Sequence, residues 1–306
     1  MSITLVLIGA TGTGKTDVAF HLAKQVAGAE IVSADSRLVY RKMDIGTAKP
    51  GREMRAEVRH HMIDLVDPDR QYTCKEFETE ARRIIHDILA RDLIPIVVGG
   101  SGLYLRALTD GVFDGPAASE EVRERLNAEM EARGLESLWQ RLKRVDPEKA
   151  VQVGQGNALR IIRALEVFEL TGEKMSDLEK NVEPLDVPFV KIGLRRDAGH
   201  LYARIDVRVD RMMEEGLLEE TQALMDQGYA DCLAVRNTLG YRELISHLRG
   251  EMRLDEAVEL IKRNTRRFAK RQGTWFRKEK GIRWVEILAD ARIPEVCHMV
   301  RREYHS

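Results

Sequence analysis

One short segment near the start of the chain constrains its fold more than any other. Residues 9–16, GATGTGKT, match the pattern Gly-x-x-x-x-Gly-Lys-Thr and follow the apolar run ITLVLI. The next residues, DVAFHLAKQV, repeat Val18, Leu22 and Val26 at helical spacing. A buried strand, a glycine-rich loop and a helix in this order predict a P-loop at the carboxyl end of a strand in a parallel α/β sheet.

The predicted loop is a polyphosphate-binding site. Its glycines let the backbone wrap around an anion, and its N–H groups and the helix N-terminus attract negative charge. Lys15 adds a positive charge, and the hydroxyl of Thr16 is a predicted ligand of Mg²⁺. The predicted phosphate-binding residues are Gly9, Ala10, Thr11, Gly12, Thr13, Gly14, Lys15 and Thr16. The motif alone does not say whether the phosphates belong to a nucleotide.

The next strong strand pattern argues against a motor or switch NTPase. The run IPIVVGG, residues 94–100, is followed by Ser101 and offers no aspartate that could organise Mg²⁺ for phosphoryl transfer. Small-molecule kinases can lack that aspartate, so a kinase remains an alternative function.

A carboxylate follows the second predicted strand, residues 31–34. Because the carboxyl ends of parallel strands meet at one edge of the sheet, Asp35 is expected near the P-loop. It can act as a general base or as an acceptor that orients a substrate. It can equally cap a helix formed by SRLVY, and its position does not separate the two interpretations.

The remaining pattern predicts an α/β fold in which a P-loop doubly wound parallel sheet forms the core. Residues 1–113 and 191–306 are assigned to this core, and residues 114–190 to a helical insertion domain. Within the insertion, Ser119, Gly134, Pro147 and Gly172 are predicted helix boundaries. The strand PFVKIGLRR returns the chain to the core, and the tail beyond it is predicted to be helical.

Basic residues are concentrated late in the chain. Residues 263–281 hold eight Lys or Arg and one acidic residue. One helical face would carry Arg263, Arg266, Arg267 and Lys270. A solvated amphipathic helix is one interpretation, but the one-sided charge favours a surface for a nucleic-acid backbone, which also leaves a non-catalytic RNA-binding module open. Ile261, Phe268 and Trp275 recur every seven residues and are predicted to face the core.

Composition excludes several classes of protein. The hydrophobic share of 43% and the net charge of −1 are ordinary for a globular protein. No run approaches the roughly 20 apolar residues of a membrane span, and the opening residues read as a strand rather than a secretory signal. The separated Cys74, Cys232 and Cys297 are expected to be free thiols. A cytoplasmic protein is therefore expected.

Several ordered blocks carry a resemblance to a known family. They are GATGTGKT, SADSRLVYRKMDIGTAKP, HHMIDLVDP, VVGGSGLYLRAL, LRIIRALEVF, GYREL and TRRFAKRQGTWFR. In this order the chain closely resembles the bacterial tRNA dimethylallyltransferases, also called tRNA isopentenyltransferases, over essentially its whole length.

The resemblance implies transfer of a dimethylallyl group from dimethylallyl diphosphate to the exocyclic N6 amine of the adenosine beside the anticodon. It implies that the P-loop grips the donor's diphosphate, with Mg²⁺ as cofactor. The expected partners are dimethylallyl diphosphate and the anticodon stem-loop of tRNA, which the helical insertion would contact. A monomer is expected.

The resemblance also assigns site residues. Asp35 matches the general base, Ser101 stands where most relatives have threonine, and Arg208 matches a diphosphate-binding arginine on one helix face with Arg204. Matched tRNA contacts are Asp35, Ser36, Arg37, Leu38, Ser101, Arg123, Leu159, Arg160, Ile161, Ile162, Arg163, Asn237, Thr238, Gly240, Tyr241, Arg242, Lys270, Arg271, Gln272, Trp275 and Arg277. The segment VRNTLGYRE departs from the family pattern, so its loop is expected to sit differently on RNA.

Overall fold

The computed structural model describes residues 3–306, which divide into two compact units. The core unit comprises the chain up to Thr109 together with Leu185–Ser306, and the helical unit comprises Asp110–Pro184. The helical unit thus differs by a few residues at each end from the predicted insertion, residues 114–190. The chain re-enters the core earlier than expected because Leu185 is buried there, and its N–H donates to the carbonyl of Thr109 at 3.0 Å.

Six parallel strands form the sheet of the core unit. The strands are β1 (Thr4–Gly9), β2 (Ala29–Ser33), β3 (His60–His61), β4 (Ile94–Gly99), β5 (Phe189–Arg196) and β6 (Ile282–Ile287). Their order in the sheet is β3-β2-β4-β1-β5-β6, so β1 lies between β4 and β5. The carboxyl ends of β1, β2 and β4 therefore meet at one edge.

Fifteen α-helices surround the sheet or form the helical unit, as far as residues 3–306 describe the chain. They are α1 (Lys15–Gln25), α2 (Arg52–Glu57), α3 (Cys74–Ala90), α4 (Gly102–Asp110), α5 (Glu120–Arg133), α6 (Leu135–Val145), α7 (Pro147–Val153), α8 (Ala158–Thr171), α9 (Met175–Leu178), α10 (Ala198–Glu214), α11 (Leu217–Asp226), α12 (Leu233–Arg236), α13 (Tyr241–Leu248), α14 (Leu254–Phe276) and α15 (Ile293–His305).

The sheet is covered on both faces, as a doubly wound fold requires. Alternate residues of β1 point to opposite sides. Leu5 and Leu7 join the core that includes α1 and α15. Val6 and Ile8 join the core that includes α3 and α4. The predicted doubly wound parallel sheet is therefore confirmed.

The prediction of a wholly helical tail is wrong at β6. The sequence IRWVEI pairs in parallel with β5 and forms the edge of the sheet. Val285 and Ile287 are buried, while Glu286 between them is exposed. This alternation, with β-branched and aromatic residues, is the strand signal that the sequence carried.

The helical unit has its own core, and its helix boundaries follow the predicted residues. The hydroxyl of Ser119 accepts from the N–H of Val122 at the start of α5, and Gly134 ends that helix. Pro147 begins α7. Gly172 ends α8 in the left-handed conformation that glycine favours.

No helix within residues 3–306 is long and apolar enough to cross a membrane. The three cysteines are free, as predicted.

Candidate functional site

The P-loop joins β1 to α1 as predicted. Gly12 and Gly14 have φ of 86° and 94°, a region that favours glycine and lets the chain turn tightly. Inside the turn, the carbonyl of Ala10 accepts from the Thr13 hydroxyl at 2.8 Å and from Lys15 Nζ at 2.9 Å. The loop ends at the N-terminus of α1, where backbone N–H groups and the helix dipole favour an anion.

Two arginines donate hydrogen bonds to the backbone of this loop. Arg196 Nε donates to the carbonyl of Thr13 and Arg204 Nε donates to the carbonyl of Gly12, both at 3.0 Å. An ideal Cβ on Gly14 would lie 3.8 Å from Arg204 Nη2 and 4.0 Å from Arg196 Nη2. Both guanidinium groups therefore add positive charge beside the loop. Sequence reasoning noted Arg204 only as a neighbour of Arg208 and missed Arg196, because α10 and β5 are remote from the P-loop in sequence.

Lys15, Asp35 and Arg208 lie close enough for their charges to interact. Burial lowers the pKa of Lys15 to about 8, while the negative charge of Asp35 opposes the shift and Arg208 adds to it. Burial also lowers the pKa of Arg208, and Asp35 again opposes the shift. The structure thus brings together Lys15, Asp35 and Arg208, which are far apart in sequence.

Asp35 closes a turn and does not cap a helix. Its Oδ1 accepts from the N–H of Arg37 at 2.9 Å, and residues 36–39 form turns rather than helix. The helix-cap interpretation is therefore wrong. Its second carboxylate oxygen has no hydrogen-bond partner within residues 3–306 and can accept from a substrate.

Ser101 fixes the backbone next to Asp35. Its hydroxyl oxygen accepts from the N–H of Ser36 at 3.0 Å and can donate to the Ser36 hydroxyl at 3.3 Å. Ser101 follows β4 and Ser36 follows β2, so this contact ties two neighbouring strand ends together. The structure therefore gives Ser101 a positioning contact beside the predicted base.

Asp35, Ser101 and Arg208 line one cleft of about 570 Å³ in the core unit, and the P-loop borders it through Thr11. Predicted site residues that line it are Thr11, Asp35, Ser36, Arg37, Ser101, Arg208, Asn237, Thr238, Gly240, Arg242, Arg271, Gln272 and Trp275. Apolar side chains of Leu103, Met212 and Phe268 also line it. The cleft therefore combines a charged end at the strand termini with an apolar wall.

The prediction that Phe268 faces the core is wrong. Its side chain is 37% exposed and lies in the cleft wall, with the guanidinium of Arg271 at 5.9 Å from the ring centre. Ile261 is buried as predicted. Trp275 packs closely on Gly102, where an added Cβ would lie 2.4 Å from the indole. A seven-residue repeat does not reveal which turn of a helix borders a cleft.

The basic face of α14 is only partly neutralised. Arg266 pairs with Asp206, whereas Arg263, Arg267 and Lys270 have no ion-pair partner within residues 3–306. Lys270 is exposed, as are Arg271 and Arg277. The predicted one-sided positive surface is therefore present on this helix.

Gln272 points inward from the same helix. Its Nε2 donates to the carbonyl of Gly100, and its Oε1 accepts from the N–H of Thr11, both at 2.8 Å. The side chain is almost fully buried. Gln272, a predicted tRNA contact, thus forms amide hydrogen bonds with the P-loop and with the residue that follows β4.

Tyr241, a predicted tRNA contact, lies beneath the surface of the core unit. Its side chain is completely buried, and its hydroxyl donates to Glu220 Oε1 at 2.6 Å. Glu220 also accepts from the backbone N–H groups of residues 44–46. Tyr241 therefore supports the loop that carries Gly46 and Thr47, and both residues line the cleft.

Other predicted contacts near this loop keep an outward or cleft-facing position. Arg37 Nη2 donates weakly to the carbonyl of Asn237 at 3.4 Å. Thr238 is nearly buried, and its hydroxyl donates to the carbonyl of Ala234. Arg242 pairs with Glu243. Leu38 lies outside the cleft lining, and its carbonyl accepts from the N–H of Asp64.

In the helical unit, two predicted tRNA contacts converge on one buried carboxylate. Arg123 binds Glu166 through Nε and Nη2 at 2.8 and 3.1 Å, and Arg163 Nη1 binds it at 2.7 Å. Burial alone would raise the pKa of Glu166, but these hydrogen bonds and one from Ser119 N–H hold it below its usual range. Both arginines therefore have a structural partner.

The rest of the predicted segment 159–163 splits between core and surface. Ile161 and Ile162 are buried in the helical unit, where their side chains form part of its core. Leu159 is 83% exposed, and Arg160 is exposed beside it. Only these two side chains of the segment extend freely from α8.

Two family models match the chain. The model described as IPP transferase covers residues 38–279, and the model described as isopentenyl transferase covers residues 1–71. A tRNA dimethylallyltransferase of Geobacter metallireducens is 46% identical over 98% of this chain and 97% of its own length. One of Pelotomaculum thermopropionicum is 47% identical over 92% and 90%.

Solved structures agree. The crystal structure of a tRNA isopentenylpyrophosphate transferase from Bacillus halodurans matches all of this chain and 97% of its own, with a TM-score of 0.72 and 36% identity. A eukaryotic dimethylallyltransferase described as acting on tRNA matches 94% of this chain and 74% of its own, with a TM-score of 0.76 and 28% identity. With a P-loop, Asp35 and Arg208 meeting in one cleft, the chain belongs to the tRNA dimethylallyltransferase (IPP transferase) family.

Proposed function

We propose that this enzyme transfers a dimethylallyl group from dimethylallyl diphosphate to the N6 amine of the adenosine next to the anticodon of tRNA. The observation that carries this proposal is that Asp35 and Arg208 line one cleft and that the charges of both act on the buried Lys15. Two cations suit a diphosphate leaving group, and a carboxylate suits an amine that must lose a proton.

The donor's diphosphate fits the P-loop end of the cleft. Loop N–H groups, the α1 N-terminus and Lys15 can bind its oxygens, and Arg208 has no hydrogen-bond partner within residues 3–306 that competes for it. The apolar wall formed by Leu103, Met212 and Phe268 suits a branched hydrocarbon chain. One cleft can thus hold both ends of the donor.

Asp35 is the proposed proton acceptor. The adenine N6 amine attacks the allylic carbon C1, the C1–O bond breaks, and its electron pair leaves with diphosphate. The proton lost by the amine passes to the carboxylate oxygen of Asp35 that has no internal partner. The turn held by Arg37 N–H and the Ser101–Ser36 contact keep this carboxylate in place.

Mg²⁺ is a proposed cofactor whose protein ligand is Thr16. The Thr16 hydroxyl is exposed at the first turn of α1 and has no hydrogen-bond partner within residues 3–306. An oxygen ligand beside a diphosphate site suits a hard cation that completes its shell with phosphate oxygens and water. When bound, Mg²⁺ would supply charge that stabilises the departing diphosphate.

The proposed RNA substrate approaches along α14. Arg263, Arg267 and Lys270 can bind backbone phosphates, and Trp275 lines the cleft that a base would enter. The adenosine must leave its stack to bring N6 to Asp35. We expect the helical unit to contact the anticodon arm through Leu159 and Arg160. A tRNA substrate makes the cytoplasm the expected location, and a monomer is still expected.

The test is transfer of radiolabel from dimethylallyl diphosphate to unmodified tRNA in the presence of Mg²⁺. Wild type should label tRNA, and Asp35→Ala should abolish labelling while leaving tRNA binding largely intact. Labelling of free AMP but not of tRNA would contradict the proposed acceptor. Consumption of ATP with a small metabolite and without tRNA would favour a kinase instead.

A further inference from the structure

A buried glutamine joins the basic helix to the P-loop. Gln272 lies on α14. Its Oε1 accepts a hydrogen bond from the N–H of Thr11, and its Nε2 donates one to the carbonyl of Gly100. Thr11 follows β1 and Gly100 follows β4, and these strands are neighbours in the sheet. One side chain therefore holds together two loops at the charged end of the cleft.

The chemistry of this contact requires an amide. Only an amide side chain of this length offers a donor and an acceptor side by side, and here each is matched to a backbone group of the opposite kind. The second loop is also shaped for it, because an ideal Cβ on Gly100 would lie only 2.8 Å from Gln272 Nε2. The same Cβ would lie 3.6 Å from Lys15 Nζ. The hydrogen bonds of Gln272 therefore lie beside the lysine that is predicted to bind phosphate.

A second observation separates Gln272 from its neighbours on α14. Lys270 and Arg271 are exposed, whereas Gln272 is almost fully buried and both of its amide groups are used internally. An amide in this state has little left to offer an RNA base. Its effect on substrate must pass through the P-loop.

We infer that Gln272 is a positioning residue for the diphosphate end of the donor, not a contact with tRNA. By fixing the Thr11 N–H and the Gly100 carbonyl, it holds the opening of the P-loop next to Lys15. The helix that presents basic residues to RNA thereby also shapes the donor site. This inference rests on the proposed function, because it assigns diphosphate to the P-loop.

The first experiment measures calorimetric binding of inorganic pyrophosphate with Mg²⁺ by the full chain. Gln272→Met keeps the length of the side chain and removes both hydrogen bonds, so affinity should fall about tenfold or more. The matched variant Lys270→Met, two residues away and exposed, should bind pyrophosphate within about twofold of wild type while binding tRNA less tightly. The opposite pattern, with Gln272→Met losing only tRNA affinity, would overturn the inference.

A second variant keeps the test independent of the folding of Gln272→Met. Gly100→Ala leaves Gln272 in the sequence but displaces its amide, and it should also weaken pyrophosphate binding. In steady-state transfer, both variants should raise KM for dimethylallyl diphosphate more than KM for tRNA. Equal increases in the two KM values, or unchanged pyrophosphate affinity in whichever variant folds, would overturn the inference.

The inference and the proposed function fail in different ways. A wild-type enzyme that transfers no label to tRNA would contradict the proposed function. Weaker pyrophosphate binding by Gln272→Met would still support its positioning role in that case.

Discussion

Two sets of arginines in this protein carry the same charge but have different partners. Around the P-loop, Arg196 and Arg204 donate to backbone carbonyls, which leaves their positive charge without a carboxylate partner in those contacts. In the helical unit, Arg123 and Arg163 both bind the buried carboxylate of Glu166.

The difference lies in what remains for a ligand. Bonds to carbonyls fix the orientation of a guanidinium but do not cancel its charge, so the loop keeps a positive potential that favours a diphosphate. A buried carboxylate cancels much of the charge and makes the arginines part of the structure. The partner of an arginine, more than its presence in a motif, therefore indicates its role.

The largest effect is expected at Arg208, which like Arg196 and Arg204 has no ion pair with a carboxylate within residues 3–306. Arg208→Met removes a cation without an internal partner from the cleft, and kcat/KM for transfer should fall by about 10²–10³-fold. Arg211→Met on the same helix removes an exposed arginine paired with Glu215, and transfer should stay within about twofold of wild type. Equal losses in the two variants would contradict the distinction.

The next effect concerns the stability of the helical unit. Glu166→Gln leaves Arg123 and Arg163 without their charged partner, and the free energy of unfolding should fall by about 3 kcal/mol. Urea unfolding followed by circular dichroism measures the change. Glu173→Gln, at an exposed position of the same unit, should change it by less than about 0.5 kcal/mol. An Arg123–Glu166 pair without structural importance would make the two variants alike.

A third test measures how pyrophosphate affinity depends on pH, because the charge of Lys15 at the P-loop depends on pH. Because the pKa of Lys15 is lowered to about 8, its ammonium group is present below that pH and is lost as pH rises through it. Pyrophosphate affinity should therefore decline above about pH 8, by up to about tenfold per pH unit. Titration calorimetry at several pH values measures the decline.

Lys15→Arg is the control for this pH dependence, since arginine stays charged throughout the range. Its affinity should lack the decline that belongs to Lys15. A decline of the same size in both proteins would assign it to pyrophosphate or to another group.

The smallest effect is expected at Arg160. This exposed arginine of α8 can bind a phosphate, so Arg160→Gln should weaken tRNA binding a few-fold. The slope of the logarithm of the binding constant against the logarithm of salt concentration should become shallower by about one. Filter binding at several salt concentrations measures both. Arg133→Gln, also exposed in the helical unit, should leave the salt slope unchanged. Equal changes would mean that Arg160 has no specific position on the RNA.

The sequence predicted those parts of the fold and site that depend on local chain properties. The turn of the P-loop and the helix ends at Gly134 and Gly172 follow from backbone conformations that glycine permits, and the strand before the loop follows from its apolar run. The approach of Asp35 to the loop follows from the geometry of parallel strands. These features need only neighbouring residues or a known sheet topology.

The sequence could not reveal contacts that depend on packing between distant elements. Tyr241 lies within a matched tRNA-contact segment, yet it is buried because Glu220 on another helix binds its hydroxyl. Gln272 turns inward because Thr11 and Gly100 lie behind it. Phe268 borders an open cleft although its spacing is typical of a core residue. Burial and hydrogen-bond partners, rather than residue type, separate these cases.

The short distance between the two ends of the insertion has a consequence for engineering. Thr109 and Leu185 are joined by a backbone hydrogen bond, so a connection of only a few residues can replace everything between them. Such a deletion variant would test whether dimethylallyl diphosphate binding belongs to the core unit alone, without the helical unit that we expect to contact RNA. Catalysis and RNA selection would then become separately exchangeable modules.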